Sequence, residues 1–320
     1  EAIGAGDAFE KMPERVEDLG VPLGGLLPSV AQELGLLPGT PVAQGCADAW
    51  AGQIGLGAVQ PGRVSLTTGS SHVIAGQSDK PVYGNGFMGS YTDGVLPGQY
   101  TLEGSLVSSG SVLKWFKEGF CEHMVRSAET VGVNPYEILD RKCAEIAPGS
   151  DGLIINEYFQ GNRTPYTDSK ARGIMWGLSL SHTPLHVYHA IMEAVAFGTA
   201  FNFKKMEDAG FKFDQVTVCG GATKSPLWMQ MHADVSGKPL VKTEVGDAVV
   251  LGTCILAAVG SGQYANIQEA AANMVHETER IEPNPKTHEE YQFYLQKYME
   301  SYPAMQELTH EVVDHVAAGE

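Results

Sequence analysis

Four short stretches of this sequence carry residues that could handle a phosphorylated ligand. The run Val216-Thr217-Val218-Cys219-Gly220-Gly221-Ala222-Thr223-Lys224-Ser225-Pro226 joins a strand-forming segment to two glycines and a helix start. The glycines allow a tight turn and close approach of the backbone to a ligand. Ser225 is a good N-cap, and Pro226 suits the first helical position. Strand, glycine turn and helix N-terminus in succession can present bare N–H groups to a nucleotide. Many α/β proteins contain such a turn without using it, so the motif alone is weak. The second stretch, Leu66-Thr67-Thr68-Gly69-Ser70-Ser71-His72-Val73, reads as two strands around a glycine–hydroxyl turn. Its amides and hydroxyls could grip phosphate, although a plain hairpin turn fits the same residues. Asp48 follows a short strand, Pro41 to Gln44, and heads a small-residue helix. A carboxylate there can face the crevice at the strand ends or simply cap the helix. The fourth stretch is Glu103-Gly104, then Gly110-Ser111 opening a helix that carries Lys114 and Trp115. Gly110 would let a flat ring lie close, while Lys114 and Trp115 equally suit ordinary helix surface and core.

The elements that must position these residues can be read from punctuation and periodicity. Short strands are expected over 63–68, 72–75 and 99–103, with helices over 109–117 and 135–146 and a strand at 153–155. The strongest helix runs from Pro184 to about Ala209, capped by Thr183 and stopped by Gly210. After the glycine turn come a helix to about Val235, a strand over 239–243 and a small-residue helix over 247–259. Two more polar helices, at 288–299 and 303–317, read as peripheral. Strands followed by alternating β and α segments indicate an α/β fold with a mixed sheet flanked by helices.

The chain has 320 residues and a formal net charge of −17. Without a long Lys/Arg cluster, nucleic acid and anionic membrane surfaces are poor partners. An anionic nucleotide remains compatible, because backbone amides and a few cations can neutralise phosphate locally. The longest apolar stretch, Ala248 to Gly260, is too short to span a bilayer. Five scattered cysteines without a CxxC pair suit reduced thiols in the cytoplasm and neither a disulfide framework nor a zinc site. His182, His186 and His189 lie at helical spacing, but no Cys or carboxylate cluster completes a metal site. They read as partly exposed helix residues. The opening residues look like the middle of a domain, so a partial chain is expected.

Taken in order, the aspartate, the hydroxyl hairpin, the Glu-Gly with its later Gly, and the strand–Gly-Gly-Ala–helix resemble the FGGY family of carbohydrate kinases. Asp168-Ser-Lys-Ala-Arg-Gly-Ile-Met-Trp-Gly-Leu is similar to a further segment of that family. The similarity runs on through the long helix with Glu193-Ala194 to Gly246-Asp247-Ala248-Val249-Val250-Leu251-Gly252. It covers roughly Pro22 to Tyr264 and is closest to the xylulokinase and ribulokinase branches. The resemblance implies an actin-like (ribonuclease H-like) ATPase fold. It implies that residues 1–57 end a sugar-binding N-terminal domain, truncated here. Residues 58–320 would then form the nucleotide-binding domain.

Asp48 would be the general base for phosphoryl transfer from ATP, with Mg²⁺, to a sugar or polyol hydroxyl, a pentulose being the expected acceptor. Gly69, Ser70, Ser71, Gly110, Lys114, Gly220, Gly221, Ala222 and Ser225 would contact the nucleotide. The resemblance allows a homodimer; no metal-binding residue is assigned in this chain, because the family's loop that helps place the metal is not part of it. The family's Asp-x-Gly-Thr phosphate loop is absent, so the chain alone is expected to be inactive as a kinase. The rival reading is a non-catalytic actin-like ATP-binding module. A dinucleotide oxidoreductase fits poorly, since the turn reads GGA instead of GxGxxG.

Overall fold

A computed structural model describes residue 4 and residues 6–319. The chain first forms β1 (Pro22–Gly25), α1 (Pro28–Leu34), β2 (Pro41–Ala43) and α2 (Asp48–Gly55). Pro28 opens α1, and Gly35 ends it in the left-handed conformation with φ 67°. Strands β3 (Val64–Thr68), β4 (His72–Ser78), β5 (Met88–Thr92) and β6 (Tyr100–Leu106) follow, then α3 (Gly110–Phe120), α4 (Glu122–Thr130) and α5 (Pro135–Cys143). A small pair, β7 (Ile154–Asn156) and β8 (Ile174–Trp176), precedes the 25-residue α6 (Pro184–Asp208). The rest of the chain gives β9 (Val216–Gly220), α7 (Pro226–Ser236), β10 (Leu240–Thr243), α8 (Ala248–Gly260), α9 (Ile267–Met274), β11 (Glu277–Ile281) and α10 (Pro285–Ala318).

The main sheet has the order β11-β10-β9-β3-β4-β6-β5. Its centre is parallel: β3 pairs with β9 from Val64↔Val216 to Thr68↔Gly220, and β9 pairs with β10. The remaining ladders of this sheet are antiparallel. Central strands covered on both faces need apolar residues on both. Val64, Leu66, Val216 and Val218 pack into the large core with α6 and α7. The alternate residues face α2 and α8, where Cys219 meets Leu56 and Ala248. The glycines of the α2 sequence have a packing reason. A Cβ at Gly55 would run into the carbonyl of Ala248, and one at Gly252 into that of Ala51. Backbone-to-backbone contact therefore locks α2 to α8. No helix among the described residues is long and apolar enough to cross a membrane.

Three expectations are corrected. The two polar C-terminal helices are one continuous helix, α10, running through Pro303. Its first half is not peripheral: Tyr291, Leu295, Tyr298 and Tyr302 are buried in the core. Spacing of 3 or 4 residues puts all four on one helical face, which the polar residues interleaved with them obscured. The histidines also separate. His182 precedes α6, and Thr183 N–H donates to His186 Nδ1 at 3.2 Å as part of the helix cap. His189 is buried, with Ser150 Oγ 2.8 Å from its Nδ1. Helix α4, the strands β5, β8 and β11, and α9 complete the architecture.

Candidate active site

Parallel strands β3 and β9 end side by side, so both of the glycine turns read from the sequence lie at the same edge. In sheets of this kind ligands bind in the crevice beyond the strand C-termini. Thr68 joins the turns: its Oγ1 donates to Cys219 O at 2.7 Å and accepts from Ala222 N–H at 3.1 Å. Gly220 has φ 97° and ψ −168°, a conformation essentially confined to glycine. A Cβ there would also strike the carbonyl of Thr68. Ser225 caps α7 as expected, accepting from Trp228 N–H at 3.1 Å, with Pro226 next.

The hairpin 69–71 holds the start of α3. Gly110 N–H donates to Gly69 O at 3.2 Å, and Ser109 N–H donates to Ser70 O at 3.0 Å. Ser111 Oγ donates to Ser70 O at 2.9 Å. Carbonyls are thus used inward, whereas among the described residues the N–H groups of Ser70 and Ser71 donate to no other protein group. Unspent amides at an exposed turn suit phosphate oxygens. Gly110 is glycine because a Cβ would lie 2.5 Å from Gly69 O.

A cleft of about 660 Å³ opens between these turns and α5. Gly69, Gly110, Gly221, Ala222 and Ser225 line it. Gly220 adjoins it through the turn, and Ser70 and Ser71 adjoin it through the hairpin; none of the three is part of its wall. Lys114 is exposed on α3 and does not line it. The opposite wall, from Asn134, Tyr136, Glu137, Asp140 and Tyr188, was not read from the sequence as ligand-facing. Asn134-Pro135 signals only a capped helix, and Asn134 does accept from Tyr136 N–H. Burial pushes the Asp140 carboxyl above the usual carboxylate range, although hydrogen bonds from Ser225 and Tyr188 oppose the shift.

Asp48 lies outside the cleft lining, at the head of α2, where its Oδ1 accepts from Ala49 N–H at 2.8 Å. Helix α2 rests against β3: a Cβ on Gly52 would sit 3.3 Å from Thr67 Oγ1. The aspartate is exposed, and its charge acts on Glu103 and Cys46. Burial raises the Glu103 carboxyl; Arg163 lowers it, Asp48 raises it, and a hydrogen bond from Trp50 lowers it. Trp50 and Tyr91 meet edge to face, 5.7 Å between centroids. This polar and aromatic surface around Asp48 suits a polyhydroxylated molecule. Its members are scattered through the sequence, which left only Glu103 noticed.

Among the described residues no three His, Cys, Asp or Glu groups converge as a metal site. Those residues thus form no His, Cys, Asp and Glu cage for Mg²⁺, an ion that is commonly held largely by substrate phosphates and water. The glycine-lined cleft, by contrast, fits a nucleotide.

The fold is that of a carbohydrate kinase C-terminal domain. Residues 64–261 match the model of the FGGY family of carbohydrate kinases, C-terminal domain. The chain belongs to the FGGY family. It is 34% identical over 298 residues to a ribulokinase of Geobacillus thermodenitrificans, covering 90% of this chain and 52% of the relative. It is 32% identical over 293 residues to the human FGGY carbohydrate kinase domain-containing protein, covering 84% and 53%. The crystal structure of xylulose kinase from Rhodospirillum rubrum superimposes with a TM-score of 0.78 at 29% identity, covering 95% of this chain and 60% of that one. The fold is accordingly the actin-like ATPase fold of these kinases. The chain spans about half the length of the curated relatives it matches.

Proposed function

We propose that this chain is the nucleotide-binding portion of a kinase that transfers the γ-phosphoryl group of ATP to a sugar or polyol hydroxyl. A pentulose such as ribulose or xylulose is the acceptor the ribulokinase and xylulose kinase relatives suggest. The observation that carries the reading is the coupled pair of glycine turns, one exposing the amides of Ser70 and Ser71 and the other opening into the cleft at Gly221. On this reading residues 1–57 close the sugar-binding domain and residues 58–320 hold the nucleotide.

The chemistry assigned to the chain's own groups is limited. A sugar hydroxyl is a weak nucleophile at neutral pH. The Asp48 carboxylate orients it and accepts its proton as the oxygen–phosphorus bond forms and the bond to the leaving diphosphate breaks, a contribution of about 10²–10⁴ in rate. The hairpin and helix amides hold the phosphates in line. Magnesium, on this reading, arrives with the nucleotide.

The test is Asp48→Asn in the full-length kinase, assayed with MgATP over a panel of pentuloses, hexuloses and polyols. Turnover should fall by about 10²–10⁴ with ADP affinity unchanged. Near-normal turnover would refute the base assignment. The 320-residue chain alone should bind nucleotide without sugar-dependent turnover, and robust turnover would contradict the division of labour proposed.

A further inference from the structure

Asp140 puts a negative charge into the wall of a cleft assigned to a polyanion. The neighbouring charge that acts on it is another carboxylate, Glu137, so ion pairing does not explain its position. Tyr188, Trp228 and Leu113 line the cleft with it, and Lys224 and Glu137 are the other charged residues of the lining. Tyr188 Oη donates to Oδ1 at a long 3.4 Å. A carboxylate has about four lone-pair sites, and this contact uses one. The remainder serve a donor, and no phosphate oxygen is one.

We propose that Asp140 determines base specificity, its carboxyl group accepting a hydrogen bond from the exocyclic amino group of a 6-aminopurine nucleotide. The inference rests on the nucleotide-binding reading above. Aromatic and aliphatic side chains form a slot for a flat ring, and Asp140 gives that slot one acceptor at its edge. Asp140 is half-buried, and an acceptor screened from water by a bound ring loses free energy when its donor is missing, so a purine lacking the amino group should be discriminated against. Sites built around such a group reject the analogue strongly.

The experiment is calorimetric titration of the 320-residue chain with ATP, purine riboside 5′-triphosphate and 2′-deoxyATP. Purine riboside triphosphate differs from ATP only by loss of the amino group. The expected result is at least about tenfold weaker binding of that analogue, equivalent to about 1.4 kcal/mol, with 2′-deoxyATP bound like ATP. In Asp140→Ala, ATP should fall to the level of the analogue, whose own affinity stays unchanged. Asp140→Asn keeps an oxygen acceptor and should retain part of the preference. Equal binding of ATP and the analogue by the unaltered chain overturns the proposal without needing any variant to fold. So does an equal loss of both ligands in Asp140→Ala, which would mark Asp140 as a support for Tyr188 and Ser225. A loss confined to 2′-deoxyATP would assign the carboxylate to ribose and also overturn it. If no triphosphate binds, the nucleotide-binding reading fails first.

Discussion

Replacing Gly110 by alanine separates two effects that usually travel together. Alanine is a better helix former than glycine by about 1 kcal/mol in a helix interior and by less at a first position. Against this gain, the new Cβ would lie 2.5 Å from Gly69 O and 3.3 Å from Gly69 C. Both atoms are backbone, so no side chain can swing aside, and the hairpin must retreat by about 1 Å to reach ordinary van der Waals separation. That retreat stretches the bonds from Gly110 N–H to Gly69 O at 3.2 Å and from Ser109 N–H to Ser70 O at 3.0 Å. It also stretches the Ser111 Oγ contact to Ser70 O at 2.9 Å. At about 0.5–1.5 kcal/mol each, partial loss of three bonds outweighs the helix gain and leaves the variant about 1–3 kcal/mol less stable. For a chain of this size that lowers Tm by about 2–10 °C. The same movement displaces the Ser70 and Ser71 amides, so ADP affinity should fall about tenfold, or about 1.4 kcal/mol. Gly119→Ala, in the same helix with no atom within 4 Å of its built Cβ, is the control. It should gain about 0.4–1 kcal/mol with ADP binding intact. Thermal melts and calorimetric ADP titrations check both variants. A Gly110→Ala protein as stable as the parent, with undiminished ADP affinity, refutes the close-contact reasoning.

Other perturbations test the frame around the site. Burial pushes the Glu157 carboxyl up to about 8, above a backbone hydrogen bond and the Tyr298 hydroxyl, which lower it. Its folded-state value exceeds the unfolded one, so its stabilising contribution is full below about pH 4.3 and lost as pH rises toward 8. Glu157→Gln should flatten this slope in denaturant titrations between pH 5 and about 8; an unchanged slope would rule out Glu157 as its source. Asp168 behaves oppositely. Burial raises its carboxyl, but hydrogen bonds from Tyr302, His310, Gln306 and Lys170 N–H outweigh that and hold it at about 2. Its stabilising contribution is present above the unfolded value and disappears as pH falls toward 2. Asp168→Asn should destabilise the chain at pH 7 and abolish the corresponding acid transition, which melts from pH 2 to about 7 would detect. Gly220→Ala forces an L side chain into φ 97°, costing about 1–3 kcal/mol before the clash with Thr68. Its Tm should fall further than that of Gly110→Ala, and parity in a thermal melt would discount the turn geometry.

What the sequence made legible was local. The Gly-Gly turn, the Ser225 cap with Pro226, and the 184–208 helix follow from residues adjacent in the chain, whose preferences act without tertiary help. The parallel pairing of β3 with β9 was not legible, because it joins two segments far apart in the chain and only the folded sheet sets them side by side. Asp140 was illegible for the same reason. Nothing near it in α5 distinguishes a cleft carboxylate from a surface one; only the docking of α5 against α6 and Ser225 does. Pro303 misled because a proline ordinarily ends a helix, whereas buried Tyr298 and Tyr302, just before it, secure α10 to the core. His189 was misplaced because helical spacing with its two neighbours hid that its partners, Ser150 and Glu193, lie elsewhere along the chain or a turn further on.

The hydroxyl of Thr68 has a mechanical consequence. Because one side chain clasps both the end of the β9 strand and the amide of Ala222, the two glycine bends cannot drift apart independently. They form a single stiff jaw. On the proposed reading, opening or shutting that admits a nucleotide falls to the facing helical wall, leaving the glycine edge as the fixed anvil.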